Sequence, residues 1–230
     1  MFFHYLCYYV AMHKKLVGAR LLKGSYVARL AVPVSELHAG HRPEILSHLL
    51  LLNATDRWLR FGTHTANEVI HAYVERLDFV RDRVFGCFDS QLNLAGIAHL
   101  AYLPKLMGHA RAAEFGVSVL PKNRGQGIGT ALLARASVHS RNTHIKTLLV
   151  HCLANNHVML HLAKRAGMHV KHAYGDADAS LQLEPACPST IVEEAANKQW
   201  ADFDYALKEN FKRTSAFWSW FLGKSVIRTS

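Results

Sequence analysis

Arg124-Gly125-Gln126-Gly127-Ile128-Gly129-Thr130 is the stretch from which the rest of the chain is read. Three alternate glycines follow an apolar run, residues 115–120, and open a helix-patterned segment, residues 128–140. A strand that passes through a glycine turn into a helix N-terminus makes an anion site. The first helical N–H groups have no internal partner, and the helix dipole adds partial positive charge. Glycines let the backbone approach a phosphate with no Cβ in the way. Arg124 adds a guanidinium at the mouth of the turn. An ordinary βα turn has similar glycines, so the neighbouring sequence has to decide.

That context excludes two familiar phosphate loops. A Walker loop ends in Gly-Lys-Ser/Thr, whereas Gly129 is followed by Thr130-Ala131. A Rossmann loop has another glycine spacing and an acidic residue about 20 positions on. The corresponding region reads Thr147-Leu148-Leu149-Val150-His151, with no carboxylate. The stretch instead resembles the acetyl-CoA-binding motif of the GNAT superfamily of N-acetyltransferases. Arg124, Gly127 and Gly129 meet its Gln/Arg-x-x-Gly-x-Gly/Ala pattern, and Gly116-Val117-Ser118-Val119-Leu120-Pro121 meets its preceding strand. The second half of the signature follows: a strand (residues 146–153), Asn156, and a helix closing on Gly167-Met168.

The resemblance covers residues 25–184 and is densest over 114–168. It implies an α/β (α+β) fold with a central mixed, mostly antiparallel sheet flanked by helices. It further implies transfer of an acetyl group from acetyl-CoA to a primary amine by direct attack. The strand before the turn then splays from its neighbour, and the main chain of Val117, Ser118 and Val119 pairs with the pantetheine arm. The amides of Gly125, Gln126, Gly127, Ile128, Gly129 and Thr130 take the pyrophosphate beside Arg124. An N–H near Val119 stabilises the oxyanion. Asn156 contacts the cofactor, caps its helix, or does both. Glu114 is the expected proton acceptor, against an alternative as a surface glutamate paired with Lys or Arg. The family's usual acid, a tyrosine seven residues after the asparagine, is here Ala163. His151, Cys152 and Tyr174 are other candidates, and an unassisted thiolate is a further one, so the acid stays unassigned.

Bulk properties bound these readings. The 230 residues suffice for one full core; half are apolar and 19% charged. The net charge of +10 suits nucleic acid, anionic lipid or an anionic cofactor. Lys/Arg runs stop at two residues and no RNA-recognition signature occurs, which disfavours nucleic acid. Cys7, Cys87, Cys152 and Cys187 lie far apart without Cys-x-x-Cys spacing, which suits reduced thiols and a cytoplasmic location. No His-Glu-x-x-His pair occurs, and no metal is expected. The apolar, aromatic residues 1–12 are interrupted by His4 and are too short to span a bilayer. They read as a short extension, or as sequence upstream of an alternative start at Met12.

Along the chain, residues 26–34 are a strand candidate, and Pro43 opens a first helix through Ile45, Leu46, Leu49 and Leu50. Thr65-x-x-Glu68 reads as the capping box of a second helix with Val69, Ile70, Tyr73, Val74 and Leu77 on its apolar face. Strands follow at 83–89, 92–100, 112–120, 168–174 and 179–183. Thr190-x-x-Glu193 is another capping box, opening a helix with an apolar stripe of Val192, Ala196, Trp200, Phe203, Leu207 and Phe211. That stripe packs on its own domain, forms a homodimer face, or, with the aromatic tail and its lysines, meets a membrane surface. The domain reading is an extension (1–24), an acetyltransferase domain (25–185), and a C-terminal amphipathic helix with aromatic tail (186–230). The alternative to catalysis is a module that binds acyl-CoA as a ligand or sensor, which the missing tyrosine permits. The acceptor pocket is expected from the first two helices and the loop around Trp58 to His64.

Overall fold

The computed structural model describes residues 32–104 and 111–221. A short strand, β1 (Ser35–Leu37), leads through a 3-10 turn into three helices: α1 (Arg42–Leu50), α2 (Ala54–Phe61) and α3 (Asn67–Glu75). Strands β2 (Arg83–Phe88), β3 (Leu94–Tyr102) and β4 (Ala112–Val119) precede helix α4 (Ile128–Asn142). Strand β5 (Thr147–Leu153), helix α5 (His157–Arg165), strands β6 (His169–Ala173) and β7 (Asp176–Gln182), and helix α6 (Pro188–Phe221) complete the order. The seven strands form one sheet, ordered β1-β2-β3-β4-β5-β7-β6. Only β4 and β5 pair in parallel; the other neighbours are antiparallel, as the sequence implied. Most of the strand candidate at 26–34, the extension and the end of the aromatic tail lie outside the described residues.

Strand alternation gives the sheet two apolar faces. Phe85, Leu100, Phe115 and Leu148 join Leu132 of α4 and Leu160 of α5 in one core. Val84, Leu94 and Ile97 join Ile45 and Leu49 of α1 and Ile70 and Val74 of α3 in the other. Each fully buried side chain of this size contributes roughly 1.5–3 kcal/mol.

Three local readings are corrected. The loop expected around Trp58 to His64 is in its first half helical: residues Ala54–Phe61 form α2. Asn53 caps it by accepting from Asp56 N, and Gly62 ends it at φ 71°. It turns charge as well as apolar surface inward: Asp56 is buried, Arg57 donates to the carbonyls of Leu50, Leu52 and Thr65, and Phe61 packs on the second core. Ala54, Trp58 and Phe61 recur at helical spacing, but over only eight residues, too short a run to stand out as a helix. The Thr65–Glu68 capping box does not form. Thr65 Oγ1 donates to Thr63 O, and Ala66 stands at the N-cap with no side-chain bond. Ile70, Val74 and Leu77 are buried as expected, but Val69 is exposed.

The third correction concerns α6. It begins at Pro188, before the expected box, and Thr190 Oγ1 instead donates to Asn142 Oδ1 and accepts from Cys187 N. Glu194 reaches Arg135 Nη1 at 2.7 Å, His139 Nδ1 at 2.6 Å and Asn142 Nδ2 at 2.6 Å. This polar cluster sets the rotation of α6. Ala201 is buried, Tyr205 packs edge-on against Phe88, and Lys208 donates to Phe88 O. Val192, Phe203, Leu207 and Phe211 of the expected stripe are exposed. The helix does lie on its own domain, but with a different face. Among the described residues, no helix is long and apolar enough to cross a membrane.

Candidate active site

Strands β4 and β5 pair only from Ala112–Thr147 to Glu114–Leu149, then diverge. On its other side β4 stays paired with β3 through Val119. The main-chain edge of β4 beyond Glu114 therefore opens toward β5 without a strand partner. A cavity of about 430 Å³ occupies the gap. Glu114, Gly116 and Val117 line one wall, His151 and Cys152 the other, with Asn156 and Met159 at the α5 end. The expected splay is present.

The glycine turn follows the end of β4. Gly125 (φ 77°) and Gly127 (φ 79°) occupy the left-handed region, which a Cβ disfavours. Gly127 stands at the N-cap of α4 with no side-chain cap. The first amide after the turn to donate to the main chain is that of Ala131, to Gly127 O. Among the described residues, no main-chain N–H of residues 125–130 donates to another protein group. Six neighbouring donors are thus left at the positive end of a 15-residue helix. Arg124 turns back from this cradle: Nη2 pairs with Asp56 at 2.5 Å and Nε donates to Val119 O. It braces the turn against α2, and among the described residues its Nη1 is the nitrogen left without a partner.

The remaining cofactor candidates divide by face. Val117 and Val119 lean on the core beneath α4. The Ser118 side chain lies on the opposite face, Oγ 2.9 Å from His48 Nε2, while His48 Nδ1 lies 2.8 Å from Leu94 O. A carbonyl only accepts, so Nδ1 carries the proton and Nε2 accepts from the serine. Burial lowers His48 to about 4. Asn156 caps α5 by accepting from Met159 N at 3.0 Å, as one expectation had it, and also lines the cavity.

Glu114 stands exposed on the cavity wall with no Lys or Arg partner among the described residues. His151, two residues beyond the register partner of Glu114, points from the same sheet face. Its Nδ1 lies 2.7 Å from Asp178 Oδ1, which raises its pKa. Burial raises the Cys152 thiol, and Tyr174 is fully exposed and does not line the cavity. Ala163 is completely buried in the core, with no room for a tyrosine.

Arg60 of α2 also lines the cavity and was missed from sequence. It donates to Tyr73 Oη at 3.2 Å; Tyr73 Oη lies 2.9 Å from His99 Nδ1, and His99 Nε2 lies 3.2 Å from Asp82. These residues come from α2, α3, the bend before β2, and β3, and no short motif joins them. Among the described residues, no group of three His, Cys, Asp or Glu is placed to hold a metal.

Residues 53–168 match the sequence profile of the acetyltransferase (GNAT) family. The GNAT domain of S. lividans PAT is similar in structure, with a TM-score of 0.56 at 17% identity over 65% of this chain and 89% of that one. So is a ribosomal-protein-alanine N-acetyltransferase from Brucella melitensis, at 0.52 and 19% over 65% of this chain and 99% of that one. A spermidine N-acetyltransferase from Vibrio cholerae, solved with CoA and spermine, gives 0.52 and 20% over 66% and 95%. At these identities the likeness is one of fold. No curated protein matches the chain. The profile spans the turn, the splayed strand and the helix after Asn156, and the chain belongs to the acetyltransferase (GNAT) family.

Proposed function

We propose that this protein is an N-acetyltransferase that moves the acetyl group of acetyl-CoA to a primary amine by direct attack. The observation that carries the reading is the run of unbonded amides at 125–130 beside the open edge of β4. Such donors, with the dipole of α4 behind them, suit the pyrophosphate. The exposed main chain of Val117, Ser118 and Val119 suits the pantetheine arm, with Asn156 closing the cavity. Bound there, acetyl-CoA supplies an activated acyl group. Glu114 takes the proton of the attacking amine, directly or through one water. His151, whose pKa is raised by its hydrogen bond to Asp178 on the same face, replaces the family tyrosine as the proton donor. Residues 25–185 form the catalytic domain, 1–24 an extension, and 186–230 a C-terminal addition.

Absence of the tyrosine at Ala163 favours one second reading, a module that binds acyl-CoA without turnover. Acetyl-CoA at 100 times its Kd should stabilise the fold by about 2.7 kcal/mol, a shift of about 5–10 °C. Gly129→Asp tests the cradle. A Cβ there meets only Leu162, at 3.7 Å, and an acid in the first turn favours the helix. Its charge, however, opposes the phosphates. The variant should keep its fold and lose the shift; an undiminished shift would remove the cofactor assignment. Thiol release with a panel of amines then separates catalysis from binding alone.

A further inference from the structure

Among the described residues, half-buried Arg60 makes no salt bridge. Its guanidinium lies flat against β4: a Cβ on Gly116 would come within 2.8 Å of Cζ, Nη1 and Nη2 alike. The rings of Phe61 and Tyr73 lie 5.1 Å and 5.9 Å from Cζ. These contacts engage its faces, whereas its N–H donors radiate in the plane. Among the described residues, only Nη2 has a protein partner, Tyr73 Oη, and Nε is buried without one. Asp56 is engaged with Arg124, and Asp82 with His99 and Tyr102 N, while Glu114 lines the same cavity without a salt bridge to Arg60. Burial keeps His48 and His99 neutral, and the charge of Arg60 pushes both the same way. A cation removed from water without a counter-charge is costly, and this one lines the cavity.

Its position separates it from the phosphate cradle. Gly116 lies three residues before Val119, about 10 Å back along the strand. Glu114 is two residues away on the same face, about 7 Å.

We infer that Arg60 determines acceptor specificity by taking a carboxylate of the acceptor on its free edge. The acceptor is then an amino acid, whose amine and carboxylate lie close enough to meet Glu114 and Arg60 together. This inference rests on the acetyl-transfer reading.

The test is acetyl-CoA-dependent thiol release with L-amino acids, each paired with its α-carboxamide, which keeps the amine and side chain but loses the charge. The wild type should favour the acid over the amide at least tenfold in KM. Arg60→Gln should raise KM for the acid by about 10- to 100-fold, the range of a charge-assisted pair, with kcat little changed and the carboxamide unaffected. Arg60→Lys should fall between, since an ammonium lacks the bidentate fork. Gly116→Ala keeps the arginine but displaces its guanidinium, and should reproduce the selective loss. Melting with amino acids in the presence of CoA gives a second readout, a stabilisation absent in Arg60→Gln. Equal use of acids and amides, equal losses on both in Arg60→Gln, or no amino-acid stabilisation in the wild type would overturn the assignment. A retained acetyl-CoA shift with any of those results leaves the cofactor reading standing. Loss of that shift in the wild type would remove the cofactor reading itself.

Discussion

Acid should loosen this protein through one side chain, His48. It is 1% exposed in α1, donates from Nδ1 to Leu94 O and accepts at Nε2 from Ser118. A second proton would sit at Nε2, facing a hydroxyl that now donates to it. Burial is the largest cause that lowers its pKa to about 4 from 6.5; the Leu94 carbonyl opposes the shift and Arg60 adds to it. The lowered folded value means that the unfolded chain takes up the proton first. Stability is therefore complete above pH 6.5, falls as pH drops through that value, and is fully lost near 4. The difference amounts to roughly 3 kcal/mol at the acid limit and about 2 kcal/mol at pH 5. Denaturant unfolding between pH 7.5 and 5, compared with His48→Gln, isolates the effect. Contributions from His41 and His99, also lowered mainly by burial, are common to both proteins and cancel. The variant should be less stable at pH 7.5, and its deficit should shrink by about 2 kcal/mol at pH 5. Parallel losses in the two proteins would refute the reasoning.

Three further outcomes are expected. Glu114→Gln should cut turnover by about two to four powers of ten at neutral pH while keeping the acetyl-CoA thermal shift; full activity across the pH range would remove Glu114 from the mechanism. Asp178→Asn removes the hydrogen bond that raises His151, so the alkaline limb of kcat should move to lower pH; an unmoved limb would dismiss His151 as proton donor. Glu194→Gln leaves Arg135 and His139 without their shared carboxylate and should cost about 3 kcal/mol in chemical denaturation. Since Glu194 is lowered to about 2 from 4.5, its share of stability is present above 4.5 and disappears toward pH 2. A variant as stable as the wild type at pH 7 would show that the cluster merely accompanies the docking of α6.

The turn was legible because its physics is local. Gly125 and Gly127 adopt the positive φ that only glycine takes cheaply, and the following 15-residue helix starts where the periodicity starts. Strand alternation likewise placed Glu114 and Ser118 on one face of β4 and Phe115 on the other. Helix α2 escaped notice because its apolar repeat, Ala54, Trp58 and Phe61, spans only eight residues, and the buried charge of Asp56 interrupts it. The α6 stripe misled for the complementary reason. Val192, Phe203, Leu207 and Phe211 mark an amphipathic helix, but amphipathicity does not say which partner the apolar face meets.

By itself, then, the sequence determined the order of elements apart from α2, the glycine turn and the strand that opens beside it, since each depends on residues adjacent in the chain. Only the tertiary structure decided that Arg60 lies over Gly116 across 56 residues of chain, with no salt bridge among the described residues. It also decided that His48 of α1 bonds Ser118 of β4, and that Glu194 rather than the apolar stripe holds α6 to α4. Burial, charge pairing and hydrogen-bond direction are properties of groups brought together by folding, and no single segment of the chain contains them.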